Sequence, residues 1–233
     1  MKAVILAAGL GSRLSPVTQK TPKCLLEIGG KTIIERQLEL LSSLGVKETV
    51  VVVGYLKEMI IDLIGDKVKI IENPDYSSTN SSYSLWLARK YLTGPFIHLN
   101  SDLLFDREIL SKLIKSEYGN AMIVDESKNK ADDMFKARLV KGKIVELSKF
   151  STSFTTSTIA PGPIKFSSGT SDYLFTILRK LIENGKKNEW CYSLFSEISR
   201  DIDLYPINVN GLDWCEVDDS KDLAYAKSFK WEI

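Results

Sequence analysis

The sequence predicts an α/β protein: a doubly wound, mostly parallel sheet with helices on both faces. Three observations lead there. Strand and helix patterns alternate through the first half of the chain, in the rhythm of βαβ units. The strands are continuous apolar runs such as Thr49–Val53 (TVVVV), as in strands buried on both faces. Three polar features fall at the carboxyl ends of those strands, where such sheets bind ligands. They are the loop Ala8–Lys23, the segment before Tyr83, and Asp102.

The elements follow in order. Lys2–Ala7 is a short strand, ended by Gly9 and Gly11, and no helix begins until about Thr32. A loop this long inside a compact domain is usually functional. Thr32–Leu44 carries Ile34, Leu38 and Leu41 on one helical face and stops at Gly45. After strand Thr49–Val53, Gly54-Tyr55 turn the chain into helix Leu56–Ile64. Val68–Ile71 is a strand, broken by Asn73-Pro74-Asp75. The polar run Tyr76–Ser84 enters a helix reaching about Leu92, with Asn80 or Ser81 as its cap. Pro95–Leu99 is a strand that delivers Asn100, Ser101 and Asp102, and Arg107–Ser116 is the next helix.

The second half is less regular. Ala121–Val124 is a strand, Asp125–Asp133 a charged loop, and Ala137–Leu147 a hairpin turning at Lys141-Gly142. Phe150–Thr158 is rich in Ser and Thr. Ile159–Phe166, with Pro161-Gly162-Pro163, reads as an irregular or edge strand. Helices are expected over Ser168–Asn184, Tyr192–Ser199 and Lys221–Phe229, and strands over Leu204–Val209 and Trp214–Val217. With no clear linker, residues 1–233 form one domain. Within it, 1–125 holds the regular alternation, 126–212 a less regular second part, and 213–233 a return to the core.

Composition narrows the function. With 44% hydrophobic and 26% charged residues, the chain is an ordinary globular protein. A formal net charge of +1 argues against nucleic acid or an anionic membrane as the main partner. Cys24, Cys191 and Cys215 lack metal or CxxC spacing, as expected of reduced cytoplasmic thiols. The lone His98 cannot build a zinc site and is expected to be a satisfied core histidine. The apolar run after Lys2 ends at Gly9 and is a strand, not a signal peptide. No run is long enough to span a membrane.

Positive charge is concentrated at the start. Lys2, Arg13, Lys20 and Lys23 precede the first acid, Glu27. Glycine backbone lets N–H groups approach phosphate oxygens, and isolated cations complete such a site. The loop is not a Walker A loop, which needs GK[ST] directly before a helix. Nor is it GxGxxG, since no helix follows and Arg13-Leu14 stand near the third glycine position.

Residues Leu6–Lys23, LAAGLGSRLSPVTQKTPK, instead resemble the signature L-A-A-G-x-G-x-R-L-x-P-x-T-x-x-x-P-K of a nucleotidyltransferase family. That family joins a nucleoside triphosphate to a sugar phosphate or alcohol phosphate. The general resemblance extends along the whole chain, and small bacterial phosphocholine-type cytidylyltransferases look most similar. It implies a Rossmann-like, GT-A-type sheet with a small acceptor-binding lobe. It also implies roles. Leu6, Ala7, Ala8 and Gly9 would lie along base and ribose, with Asn80, Ser81, Ser82 and Ser101 nearby. Gly11, Ser12 and Arg13 would hold the β- and γ-phosphates, and Lys23 would bridge the α-phosphate and the attacking phosphate. Arg13 and Lys23 are thus the catalytic candidates, which suits a guanidinium fork and a point charge.

Asp102 in HLNSD would be a Mg²⁺ ligand, since magnesium takes one or two carboxylates plus phosphate oxygens. Taken alone, an aspartate there is as readily a turn or capping residue. Relatives commonly carry another acid two positions earlier, where this chain has Asn100. The segment Trp214-Cys-Glu-Val-Asp218-Asp219 resembles the family's W-x-E-I-D. It would return Asp218 to the metal, with Asp219 capping the last helix and Glu216 behind the ligands. Lys149 matches a lysine that touches the acceptor phosphate. Trp190 and Tyr192 are candidate acceptor-binding residues, with Glu189 and Phe195 beside them. The hydroxyl-rich run Ser151–Thr158 would suit a polyol or an amino-acid-like phosphate.

The expected reaction is attack by an acceptor phosphate on the α-phosphorus of a triphosphate, CTP favoured, with pyrophosphate leaving. A phosphate nucleophile is already anionic and needs no general base. The alternatives are a sugar 1-phosphate acceptor, a catalytically silent nucleotide-binding module, and a glycosyltransferase, which would more often show a DxD pair than N-S-D. A homodimer stays open.

Overall fold

The computed structural model describes residues 1–127, 134–149 and 157–231. Strand β1 (Lys2–Ala7) runs into the long loop, then β2 (Glu27–Ile28), β3 (Lys31–Thr32) and helix α1 (Ile33–Ser43). Next come β4 (Glu48–Val53), α2 (Lys57–Ile64), β5 (Lys69–Glu72), α3 (Ser81–Ala88), β6 (Phe96–Asn100), β7 (Leu103–Phe105) and α4 (Arg107–Lys115). The second half has β8 (Ala121–Val124), β9 (Lys136–Val140), β10 (Lys143–Ser148), β11 (Ser157–Ile159), β12 (Ile164–Phe166), α5 (Ser168–Glu183) and α6 (Cys191–Ile198). It closes with β13 (Tyr205–Asn208), β14 (Trp214–Glu216) and α7 (Ser220–Ser228).

Seven strands form the main sheet, in the order β13-β8-β12-β6-β1-β4-β5. Every neighbouring pair is parallel except those made by β12, which runs antiparallel to both β6 and β8. Alternate residues of β1 face opposite layers. Ala3, Ile5 and Ala7 pack with Ile34, Leu41, Ile60 and Ile109 from α1, α2 and α4. Val4 and Leu6 pack with Leu85, Leu174 and Phe195 from α3, α5 and α6. Burial on both faces is why the strands read as unbroken apolar runs.

Two expectations are corrected. Ile159–Phe166 is not an edge strand: Ile159 closes β11, and Ile164–Phe166 lies buried inside the main sheet. Pro161 and Pro163 lack an N–H but precede the ladder, and the Pro163 carbonyl still accepts from Ile123 N–H at 3.0 Å. Helix α3 ends at Ala88, short of Leu92. The following residues tighten into i→i−3 bonds, Tyr91 N–H to Ala88 O and Leu92 N–H to Arg89 O, which tuck Leu92 into the core.

A smaller sheet, β10-β9-β11, stands beside the main one. Its hairpin turns at Lys141-Gly142 as expected, and Leu147 N–H donates to Ser196 Oγ of α6 at 2.9 Å. Much of the Ser/Thr-rich run and part of the charged loop before β9 fall outside the described residues. A two-stranded ribbon, β7 with β14, brings the late segment of the chain beside Asp102. Among the described residues no helix is long and apolar enough to cross a membrane.

Candidate active site

Two adjoining clefts open at the carboxyl ends of β1 and β6. The first is lined by Leu6, Ala7, Ala8, Ser101 and Asn73, Tyr76, Thr79 and Ser84, among others. The second is lined by Ser12, Arg13, Phe135, Lys149, Trp190, Tyr192, Glu216 and Asp218. Gly9, Gly11, Lys23, Asn80, Ser81, Asn100 and Asp102 line both, so the loop and the end of β6 form the seam.

Local chemistry explains the seam. Gly11 has φ +64°, and the Thr18 hydroxyl donates to its carbonyl at 2.8 Å. A Cβ at Gly11 would come within 3.2 Å of the Thr18 methyl, so glycine lets the loop fold onto itself. Gly54 is equally constrained: a Cβ there would sit 2.7 Å from that of Tyr76 and 2.9 Å from Ala8 O. Its absence brings Tyr76 up to the β1 end. Asn80 caps α3, accepting from Ser81 N–H at 2.8 Å.

Charge is gathered at the seam. Lys23 Nζ donates to Asp218 Oδ1 at 2.6 Å and to Asp102 Oδ2 at 3.1 Å. Arg13 Nη2 donates to Asp218 Oδ2 at 2.6 Å. Burial by itself would lower the Lys23 pKa, but the two aspartates outweigh it and hold it above its ordinary value. Burial likewise works against ionised Asp218, and Lys23 and Arg13 overcome it, keeping the carboxyl below its usual range. Glu216 goes the other way, because burial and the Asp102 and Asp218 charges push its carboxyl well up.

The donor set fits a hard divalent cation. Asp102 Oδ1 is buried with no hydrogen-bond partner among the described residues, while Oδ2 accepts from Lys23. Among the described residues no three His, Cys, Asp or Glu side chains gather closely enough to hold a metal by themselves. A magnesium ion held by two carboxylates would need phosphate oxygens and water to complete its shell.

Side chains that could act as base or nucleophile elsewhere are disabled. Burial pushes His98 down to about 3, and Cys24 and Cys191 up to about 12. His98 is a core residue as expected, edge-on to Phe195 at 5.1 Å, but it is not satisfied, since its Nε2 lacks a hydrogen-bond partner. All three cysteines are buried and outside any disulfide.

Most of the sequence-predicted residues come together at one place, but Ser82, Glu189 and the buried Phe195 line neither cleft. Ser82 is wholly buried on the inner face of α3. Its neighbours Asn80 and Ser81 face the cleft because successive helical residues point about 100° apart. Asp219 caps α7, accepting from Lys221 and Asp222 N–H. Residues missed from sequence are Asn73, Tyr76, Ser84, Phe135 and Gln37. Asn73 carried a signal, standing at a strand end. Buried Gln37 donates through Nε2 to Asn100 O at 2.8 Å and Leu103 O at 2.7 Å, clasping the turn that presents Asp102. Nothing on α1 distinguishes it from any other helical glutamine.

A parallel sheet whose strand ends carry a glycine loop, paired cations and convergent carboxylates defines a nucleotidyltransferase-type site. The chain belongs to the MobA-like NTP transferase domain family, whose model matches residues 3–160. It is 39% identical to the choline-phosphate cytidylyltransferase of Streptococcus pneumoniae over 120 residues, 51% of this chain and 52% of that one. The matched part is thus about half the length of that relative. It is 28% identical to the CTP:phosphoglutamine cytidylyltransferase of Campylobacter jejuni over 249 residues, 96% of this chain and 98% of that one. The structure also resembles that of CTP:phosphocholine cytidylyltransferase from Streptococcus pneumoniae. The TM-score is 0.82 over 97% of both chains at 23% identity, which shows a shared fold.

Proposed function

We propose that this chain transfers CMP from CTP to a small phosphorylated acceptor, releasing pyrophosphate. The observation that carries the reading is Lys23. Its ammonium stands at the seam of two clefts, within hydrogen-bond reach of both Asp102 and Asp218. One cleft suits base and ribose, with Asn73, Thr79, Asn80, Ser81 and Ser84 offering donors and acceptors. The other suits the acceptor, and the triphosphate lies along the loop between them. The cytidylyltransferase relatives favour CTP over other triphosphates.

The chemistry follows from the side chains. An acceptor phosphate oxygen attacks the α-phosphorus in line, and the bond to the bridging oxygen of pyrophosphate breaks. No general base is required, in keeping with a buried neutral His98. Lys23 and Arg13 turn from the carboxylates to the phosphates, where they offset charge on the attacking and leaving groups. Asp102 and Asp218 would hold Mg²⁺, which supplies Lewis-acid stabilisation of the phosphoryl oxygens when bound.

The test is pyrophosphate release with each of four nucleoside triphosphates against a panel of alcohol phosphates, phospho-amino acids and sugar 1-phosphates. Release with CTP and an alcohol phosphate is expected. Release only with a sugar 1-phosphate would reassign the acceptor class, and no release from any pair would favour a silent nucleotide-binding module.

A further inference from the structure

Asn73 fixes the polarity of two hydroxyls in the first cleft. It stands directly after β5 and is buried, and its Oδ1 accepts from Asp75 N–H at 3.0 Å. A backbone N–H can only donate, so turning the amide over would set two donors against each other. Nδ2 therefore faces the hydroxyls, donating to Thr79 Oγ1 at 3.1 Å and to Ser84 Oγ at 3.0 Å.

The two hydroxyls differ in where their own protons go. Thr79 donates its proton to Asp75 O at 2.8 Å. Ser84 has no acceptor among the described residues, and the amide nitrogen beside it offers none. Its proton is left for whatever enters the cleft, which Ser84 lines while only 4% exposed. Asn73, Tyr76, Thr79 and Ser84 line the first cleft and not the second, whereas Lys23, Asn80 and Ser81 line both. Ser84 thus lies at the end away from the seam where the phosphates would run, which is the end left for a base.

We propose that Ser84 discriminates the base by donating its hydroxyl proton to the unprotonated N3 of cytosine, and that Asn73 is a positioning residue that imposes this polarity. The proposal rests on the nucleotidyl-transfer reading and specifies its base. Uracil and thymine carry a proton on N3, so a hydroxyl held as a donor would meet another donor. In a buried site such a mismatch leaves polar groups unpaired, which weakens binding more than the loss of a contact in water.

The test is calorimetric binding of CTP, UTP and 3-deaza-CTP, each with Mg²⁺, to wild type, Ser84→Ala and Asn73→Asp, with a thermal melt of each variant. 3-Deaza-CTP has a C–H in place of N3 and keeps the 2-carbonyl and the 4-amino group. Wild type is expected to bind CTP roughly tenfold to a hundredfold tighter than either of the others. Ser84→Ala is expected to lose roughly tenfold for CTP and nothing for 3-deaza-CTP, and to narrow the CTP-to-UTP ratio. In Asn73→Asp the carboxylate only accepts, so the Ser84 proton turns to it and a lone pair faces the cleft. The CTP-to-UTP ratio should then move roughly tenfold towards UTP, and taking the ratio cancels repulsion between the added charge and the triphosphate.

Equal weakening of CTP and 3-deaza-CTP by Ser84→Ala would put the hydroxyl on the 2-carbonyl and overturn the proposal. A CTP-to-UTP ratio that neither variant moves would overturn it too. If Asn73→Asp does not fold, the Ser84→Ala comparison still decides. No binding of any of the three nucleotides would remove the proposal and the transfer reading together. Binding without pyrophosphate release would remove the transfer reading alone, because the comparison of affinities needs no turnover.

Discussion

The Asp102 carbonyl accepts a hydrogen bond from Val217 N–H at 2.9 Å. This bond extends the β7–β14 ribbon by one step, placing Val217 opposite Asp102 and bringing Asp218, next along the chain, to the same end. The two carboxylates are 116 positions apart in sequence (218 − 102), yet Lys23 reaches both. Neither strand of the ribbon belongs to the main sheet.

Lys23→Ala tests that bridge directly. With the ammonium gone, the acceptor and α-phosphates lose their shared cation, and kcat/KM for pyrophosphate release should fall by about a hundredfold to a thousandfold. The circular dichroism spectrum should be unchanged. Near-normal turnover would remove Lys23 from the chemistry.

Asp102→Asn leaves the backbone bond to Val217 in place and removes one charge. The magnesium concentration for half-maximal release should rise by about tenfold or more, as expected when a group serving a metal is altered. An unchanged magnesium titration would show that Asp102 is a turn residue and no ligand.

Gln37→Leu separates positioning from chemistry. Two buried carbonyls, Asn100 O and Leu103 O, would each lose a donor, at a cost of about 1–3 kcal/mol apiece at most. Urea unfolding should register that loss. The magnesium requirement should rise with it if the turn loosens, and Gln37→Glu, whose carboxyl cannot donate when ionised, should not rescue it.

His98 makes an acid liability. Its native pKa lies near about 3, below the ordinary 6.5 that it regains on unfolding. The unfolded chain therefore takes up a proton below pH 6.5 that the native state refuses. Stability is full above that value and is lost as pH falls, by about 1.4 kcal/mol per pH unit per group. His98→Phe should cancel that slope, so between pH 6.5 and 5 the variant should lose about 2 kcal/mol less than wild type in urea titrations. Parallel stability curves for the two proteins would contradict the burial argument.

What was legible from sequence is what depends on local pattern. Unbroken β-branched runs such as Thr49–Val53, the caps at Asn80 and Asp219, and the Gly9–Lys23 loop each announce themselves within a few residues. Local sterics and backbone hydrogen bonding decide them. The family signature then allowed Arg13, Lys23, Asp102 and Asp218 to be named, though not their mutual arrangement. Tertiary structure alone decided the rest. Ile164–Phe166 became an internal antiparallel strand because it could pair on both sides and bury all its side chains, which no local feature records. Ser82 was turned to the core by the rotation of one helical residue. Gln37 and Phe135 join the site only where distant segments meet, because a hydrogen bond or a ring face has meaning only once its partner is in reach.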